Sequence, residues 1–415
     1  MSTETIRALG RAHAASIVEL RRRFHRRPEL SGQERETSAL VRETLSSWGV
    51  EWRLVEGPRP EGASSGPGDF IGTGILATIR GEAKGAYGDD GRPAKRVALR
   101  ADMDALPVEE ETGLSFASEN EGVMHACGHD CHMAMELGAV RILLDMREEL
   151  EGEVRVIFQP AEETARGARD MIDAGALDGV DAIYGQHVWS DVPAHAFSCE
   201  SGKRMANTDW FHIDVWGASA HGSMPDRGVD AVVVAAEMVS ALQALVSREI
   251  SPFEPAVVTV GELHGGTARN VIADHAWFAG TVRTWSAETR DLVRDQLERI
   301  CGKVAHAFGA GVEFDFETGN SVLVNDPVCS EVARTAVEEL FGEEALASYQ
   351  GTLAGEDFSE YLGRVPGVFV FVGTRDEALG ADFPQHSCRY TVDESVLPEG
   401  AMLAAKWAVD MLSRR

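Results

Sequence analysis

The sequence predicts an α/β protein in which a layered α/β domain is interrupted by a smaller α+β insert, and three observations carry that expectation. Short apolar runs at 96–100, 154–158, 182–185 and 368–372 alternate with helical patterns, the arrangement of a sheet covered by helices. From about Asn207 to Gly319 the order changes to strand, helix, two strands, helix, strand. The 415 residues also exceed what one hydrophobic core usually serves. The expected division is a discontinuous domain of 1–206 and 320–415 around an insert of 207–319.

In order along the chain, apolar residues recur at helical spacing from Glu4 to Trp48, with ProGluLeuSer at 28–31 breaking the run and starting a second helix. A loop-rich stretch from Gly57 to Gly74 precedes a strand at 75–79, and a second Gly-rich stretch, Gly81 to Gly91, reads as an exposed hairpin loop. The strand at 96–100 leads to AspMetAsp at 102–104, that at 154–158 to GlnProAlaGluGlu at 159–163, and that at 182–185 to GlnHisVal at 186–188. Open α/β sheets bind ligands beyond the carboxyl ends of their strands, so these residues come first as site candidates. An amphipathic helix is expected from Met133 to Leu150. The insert supplies strands at 209–216, 256–263, 276–284 and 312–316 and helices at 228–247 and 287–308. The first domain then resumes with helices at 327–341 and 357–362, the strand at 368–372 and a last helix at 398–412.

Composition excludes more than it identifies. With 67 acidic against 39 basic side chains the formal charge is −28, which repels phosphate backbones and anionic membrane surfaces and argues against nucleic acid or a membrane as partner. No stretch reaches 18 uninterrupted apolar residues, and the polar, amphipathic start lacks a signal-peptide pattern. The six cysteines are few and, apart from Cys127 and Cys131, unclustered. A cytoplasmic protein without a disulfide framework is therefore expected.

The chemistry concentrates in HisAlaCysGlyHisAspCysHis at 125–132, three histidines and two cysteines in eight residues. Thiolate and imidazole suit Zn²⁺ and related metals, and a following helix N-terminus would lower the thiol's pKa. A structural zinc finger needs a second ligand pair at matching spacing, which the sequence does not offer. Alone, Cys127 would read as a buried inert thiol and Glu162–Glu163 as a solvated pair; together they suit a site with one carboxylate on a metal and one taking a proton from water. His187 and His386 each follow an apolar strand and could converge on one rim, whereas His221 lies in the insert.

At these residues the chain resembles the di-metal aminoacylases and carboxypeptidases, in particular their branch of hippurate hydrolases, N-acyl-amino-acid amidohydrolases and auxin-conjugate hydrolases. The resemblance runs nearly end to end, through LeuArgArgArgPheHisArgArgProGluLeuSer at 20–31, ArgAlaAspMetAspAlaLeuPro at 100–107, the Cys127 cluster, GlnProAlaGluGlu and GlyGlnHisValTrp at 185–189. It continues through GlyGlyThrAlaArgAsnValIle at 265–272, GlyThrValArgThr at 280–284, GlyGluAspPheSer at 355–359 and GlnHisSer at 385–387.

The resemblance implies a zinc-peptidase-like α/β/α catalytic domain with an inserted lid that often mediates homodimers. It implies two divalent metal ions, Zn, Mn or Co, held by Cys127, His129, Glu163, His187 and His386. Glu162 is the implied general base and acid, and Asp104 supports the metal site. His221 resembles a lid histidine that stabilises the oxyanion, and Asn270 a lid residue that touches substrate. Arg283 is a candidate grip for a substrate carboxylate, against the plainer reading of a surface ion-pair partner. The implied substrate is a small N-acyl amino acid. Carboxypeptidase or dipeptidase activity, a non-catalytic metabolite binder and Cys/His nucleophilic catalysis are the alternatives. Cys131, Asp226, Cys388 and Thr391 depart from residues usual in the family, which bears on substrate rather than reaction type.

Overall fold

The computed structural model describes residues 3–55 and 72–414. Along the chain run α1 (Thr3–Arg26), α2 (Arg35–Ser47), β1 (Glu51–Val55), β2 (Gly74–Arg80), β3 (Arg96–Asp102), α3 (His129–Asp145), β4 (Glu153–Gln159), α4 (Gly167–Asp173), β5 (Ala182–Pro193) and β6 (Phe197–Ser198). Next come β7 (Asn207–Trp216), α5 (Ala231–Ala244), β8 (Ala256–Gly265), β9 (His275–Thr284), α6 (Ala287–Phe308), β10 (Gly311–Thr318), α7 (Pro327–Phe341), β11 (Gly367–Arg375) and α8 (Leu397–Ser413). Side chains of Asp230, Ser286 and Asp326 cap α5, α6 and α7 by accepting backbone N–H groups of the first turn.

Contacts divide the chain into two compact units. The first contains 1–202, 324–350 and 360–415, the second 203–323 and 351–359. The segment 351–359, left with the first domain on sequence, clusters with the second unit because its backbone is satisfied there. Ala206 N–H donates to Ala354 O at 3.0 Å, and Asn320 Nδ2 to Glu356 O at 3.3 Å.

The first unit is built on a seven-stranded mixed sheet in the order β1-β2-β4-β3-β5-β11-β6. Strands β4, β3, β5 and β11 are mutually parallel, and the marginal pairs β1–β2, β2–β4 and β11–β6 are antiparallel. The parallel strands are apolar on both faces, as a sheet covered on both sides requires. α1, α3 and α8 pack together in the same core, where Trp407, Leu137, Val140 and Val370 are wholly buried. The second unit is an antiparallel sheet, β8-β9-β7-β10, with α5 and α6 packed on the face that presents Phe211, Ile213, Val215 and Phe278.

Several boundaries differ from the sequence expectation for physical reasons. α3 begins at His129, four residues ahead of the expected start, and is buried nearly all round instead of amphipathic. β5 runs on to Pro193, so His187 lies within a strand and not at its end. β1 was not anticipated, and the helix expected over 357–362 is a single turn, Ser359–Leu362. Most of the loop expected from Gly57 to Gly74 falls outside the described residues.

Candidate metal centre

Four chain segments of the first unit deliver the candidate residues. Loop 125–128 carries Cys127 and turns sharply at Gly128 (φ 95°) into α3, whose first residue is His129. A Cβ on Gly128 would stand 2.4 Å from Val188 Cγ2 and 3.1 Å from Tyr390 Oη, so only glycine lets this turn lie against β5. The loop after β4 carries Glu162 and Glu163 between Ala161 (φ 54°) and Ala165 (φ 53°), and His386 itself has φ 67°. Left-handed backbone at three non-glycine residues of one site is strain of the kind that collects at functional centres.

The donor atoms converge. Cys127, His129 and His187 place theirs within 4.8 Å of one another, as do Cys127, Glu163 and His386, and likewise His129, Glu162 and Glu163. Cys127 Sγ lies 3.4 Å from His187 Nε2, and Glu163 Oε1 lies 3.5 Å from His386 Nε2. His129 Nε2 stands 3.9 Å from Glu163 Oε1 and 4.0 Å from Glu162 Oε2, too far for direct hydrogen bonds. Among the described residues His129 Nε2 and Glu163 Oε1 make no hydrogen bond although both are buried. Ligands about 2.0–2.3 Å from a shared cation are separated by such distances.

Asp104, wholly buried, holds the glutamate loop. Its two oxygens accept the backbone N–H groups of Glu162 and Glu163, each at 3.1 Å, and the Ser31 hydroxyl at 2.6 Å. Glu34, which no sequence motif marks, supports the same loop by accepting Ala161 N–H at 3.0 Å and the Thr73 hydroxyl at 2.8 Å. Burial and the neighbouring Asp104 raise the Glu34 carboxyl to about 7. Burial likewise lifts Glu163 to about 7, against the pull of His129. For His129 burial alone would lower the imidazolium, but Asp102, Asp104 and Glu163 raise it to about 10. Burial and the adjacent His132 hold His187 well below the usual histidine range, so its ring is neutral and able to ligate.

Cys127 departs from the expectation that a helix N-terminus lowers its pKa. Burial and the carboxylates of Glu163, Glu162 and Asp102 push the thiol well up instead. Coordination to a cation deprotonates such a thiol outright, so the residue fits a metal site better than it fits nucleophilic catalysis. The charge balance agrees: Asp102, Asp104, Glu162 and Glu163 crowd one buried region, where the Arg100 guanidinium pairs with Asp102 at 2.6 Å. A mixed S/N/O donor set with surplus negative charge suits divalent transition metals.

The remaining candidates belong to the second unit. His221 lies on a two-residue strand paired with Val271–Ile272, and Gly222 N–H donates to Asn270 O at 2.8 Å, which brings His221 and Asn270 into one exposed region. Ser223 N–H and hydroxyl fix His221 Nδ1, at 3.2 and 2.8 Å. Arg283, at the far end of β9, donates to the Thr208 hydroxyl and is partly buried, so it is not the surface ion pair of the plainer reading.

The family model of peptidase family M20/M25/M40 matches residues 98–410. The chain is 39% identical over 396 residues to thermostable carboxypeptidase 1 of Saccharolobus solfataricus, covering 95% of this chain and 94% of the relative. It is 37% identical over 402 residues to N-acetylcysteine deacetylase of Bacillus subtilis, covering 97% and 98%. Among solved structures, the Bacillus subtilis YXEP protein, a dinuclear metal binding peptidase of the M20 family, superposes with a TM-score of 0.79 at 34% identity, covering 97% of this chain and 99% of that one. A buried S/N/O cluster beyond the strands of a parallel sheet and these end-to-end likenesses lead to one conclusion: the chain belongs to peptidase family M20/M25/M40 and is a hydrolase of linear amide bonds.

Proposed function

We propose that the protein hydrolyses N-acyl amino acids, releasing the free amino acid, with Cys127, His129, Glu163, His187 and His386 holding two divalent cations. The convergence of these five donors with Glu162, all but the exposed His386 buried or half-buried, is the observation that carries the reading. When bound, the cations lower the pKa of a water and polarise the scissile carbonyl.

The other roles fall to the chain itself. Asp104 fixes the amides of Glu162 and Glu163 and so aims both side chains. Glu162, 9% exposed, takes a proton from the attacking water and returns it to the departing amine as the C–N bond breaks. His221, Asn270 and Arg283 are the groups assigned to the oxyanion, the substrate and its carboxylate. The deacetylase relative supports an acyl amino acid as substrate. The carboxypeptidase relative favours a second reading in which the acyl part is itself an aminoacyl group.

The test is product formation by mass spectrometry from pooled N-acyl amino acids and dipeptides, comparing metal-loaded wild type with Glu162→Gln. Wild type should release amino acids from the acylated compounds, and Glu162→Gln should be slower by about 10²–10⁴-fold with its metals retained. Release from the dipeptides alone would establish the second reading. No release by wild type that carries metal would remove both.

A further inference from the structure

The backbone of one residue, Val188, ties together three of the segments that carry the proposed ligands. The Val188 N–H donates to His132 Nε2 at 3.0 Å. The Val188 carbonyl accepts from His187 Nδ1 at 2.6 Å and from Gln385 Nε2 at 3.0 Å. His132 lies on the first turn of α3 with His129, Gln385 immediately precedes His386, and Val188 follows His187 on β5. Three ligand-bearing segments therefore meet at the two peptide groups that flank the Val188 Cα.

The arrangement has a topological cause. β5 pairs with β3 only as far as Gly185, so the Val188 amide extends past that ladder and needs another acceptor. His132 supplies it. The His132 ring is in turn fixed from behind, with Nδ1 at 2.6 Å from Asp102 Oδ1, while Asp102 Oδ2 accepts from Arg100 at 2.6 Å. Arg100 Nε completes the chain to Gln159 Oε1 at 2.8 Å. A donor at Nδ1 and an acceptor at Nε2 define one neutral tautomer.

Asp102, His129 and His132 also bring donor atoms within 4.8 Å of one another, which raises the question of whether His132 is itself a ligand. Both of its nitrogens already have partners, so it is not. Gln385 is likewise engaged at both ends, since its Oε1 accepts from the Ser190 hydroxyl at 2.8 Å.

We propose that His132 and Gln385 are positioning residues that grip the Val188 backbone, one at its N–H and one at its carbonyl, and thereby set where His187 and His386 stand relative to Cys127. The His187 ring is oriented by the Val188 carbonyl, so a shift of the Val188 backbone turns His187 Nε2 away from Cys127 Sγ. The inference rests on the metal-binding reading of those ligands.

The experiment is a cobalt titration of metal-free protein, read by the thiolate-to-cobalt charge-transfer band that Cys127 would generate and by metal content per chain. Three variants are compared after circular dichroism confirms folding. His132→Asn keeps a donor toward Asp102 but cannot reach the Val188 N–H, whereas His132→Gln places an amide oxygen where Nε2 stands. Gln385→Leu removes the grip on the carbonyl.

His132→Asn and Gln385→Leu should each weaken cobalt binding about 10–100-fold and shift the band, and His132→Gln should recover most of the loss. Wild-type affinity and an unshifted band in both His132→Asn and Gln385→Leu overturn the proposal, as does His132→Gln being as weak as His132→Asn. If His132→Asn does not fold, His132→Gln beside Gln385→Leu decides. A near-normal first and a weakened second support the grip, and two identical titrations overturn it. Wild type that takes up no cobalt overturns the metal-binding reading itself, an outcome distinct from a normal wild type with indifferent variants.

Discussion

Glu136 on α3 is an acid without a counter-charge. It is 1% exposed, and its Oε1 has no hydrogen-bond partner among the described residues. Burial alone raises its carboxyl to about 8. The folded state therefore binds a proton that the unfolded state has released, over the window from about 4.5 to about 8. Stability falls as pH rises through that window and levels off above it. Glu136→Gln removes this dependence and should raise the melting temperature at pH 8.5 while changing it little at pH 4.5. Equal melting curves of the two proteins at pH 8.5 would refute the assignment. Gly128 allows a second prediction at this scale. Gly128→Ala drives a methyl into Val188 and forces φ out of the left-handed region, and it should cost about 1–3 kcal/mol with loss of metal retention on dialysis.

Legibility at this scale followed local chemistry. Cys127, His129, Glu162, Glu163, His187 and His386 could be singled out because their types and motifs speak for themselves. Asp102 and His132 lay inside quoted motifs but received no role, since nothing in a sequence shows that a strand outruns its neighbour and needs a side-chain acceptor. Glu34 gave no signal at all, because its partners, Thr73 and Ala161, are distant in the chain.

At the scale of elements, α3 is the part whose environment was hardest to foresee. Its apolar residues were read as one stripe of an amphipathic helix starting at Met133, whereas α1, α8 and the sheet cover it on all sides. Polar residues of its first turn, His129, Asp130 and His132, are buried as well; Asp130 and His132 are hydrogen-bonded to groups from elsewhere in the chain, and His129 Nδ1 stands 3.3 Å from Asp104 Oδ1. Arg21 Nε and His25 Nδ1 both stand 2.7 Å from Asp130 Oδ2. Charges this deeply buried are costly to strip of a partner, so Arg21→Met should destabilise the fold by about 3–5 kcal/mol, measurable by denaturant unfolding. The close approach of α3 to α1 and α8 depends on Gly138, where a Cβ would meet Ile17 Cδ1 at 2.7 Å and Ala401 Cβ at 2.8 Å. The starts of the four parallel strands, by contrast, were readable to within a residue, because fully buried parallel strands are continuous apolar runs bounded by turns, whereas the end of β5 was not.

At the scale of the whole molecule, the second unit leaves apolar surface uncovered along one edge. β8 is a terminal strand of its sheet, with Val257 38% and Leu263 49% exposed, and α5 beside it exposes Val232 and Val233. An unprotected edge of this kind is ordinarily covered by a partner. A homodimer through β8 and α5 is the expected state, and Val233→Glu with Val257→Lys should convert it to a monomer in sedimentation equilibrium. Wild type that sediments as a monomer at micromolar concentration would dispose of the idea. The two-unit organisation was foreseen from the change of pattern near 207, but the return of 351–359 to the second unit was not, since that stretch is loop as far as the single helical turn that starts at Ser359.

The order in which the sheet of the first unit is threaded has a consequence for how the chain emerges from the ribosome. β5, which carries His187, finds one parallel neighbour, β3, already made, while the other, β11, follows only after about 170 residues (Pro193 to Gly367). At about 5–20 residues per second, translation leaves that long apolar edge open for roughly 10–35 seconds. In that interval both stretches of the second unit, 203–323 and 351–359, are synthesised. The nascent protein thus acquires its insert before its catalytic sheet can close, and any chain released short of β11 carries an exposed strand edge beside an unfinished centre.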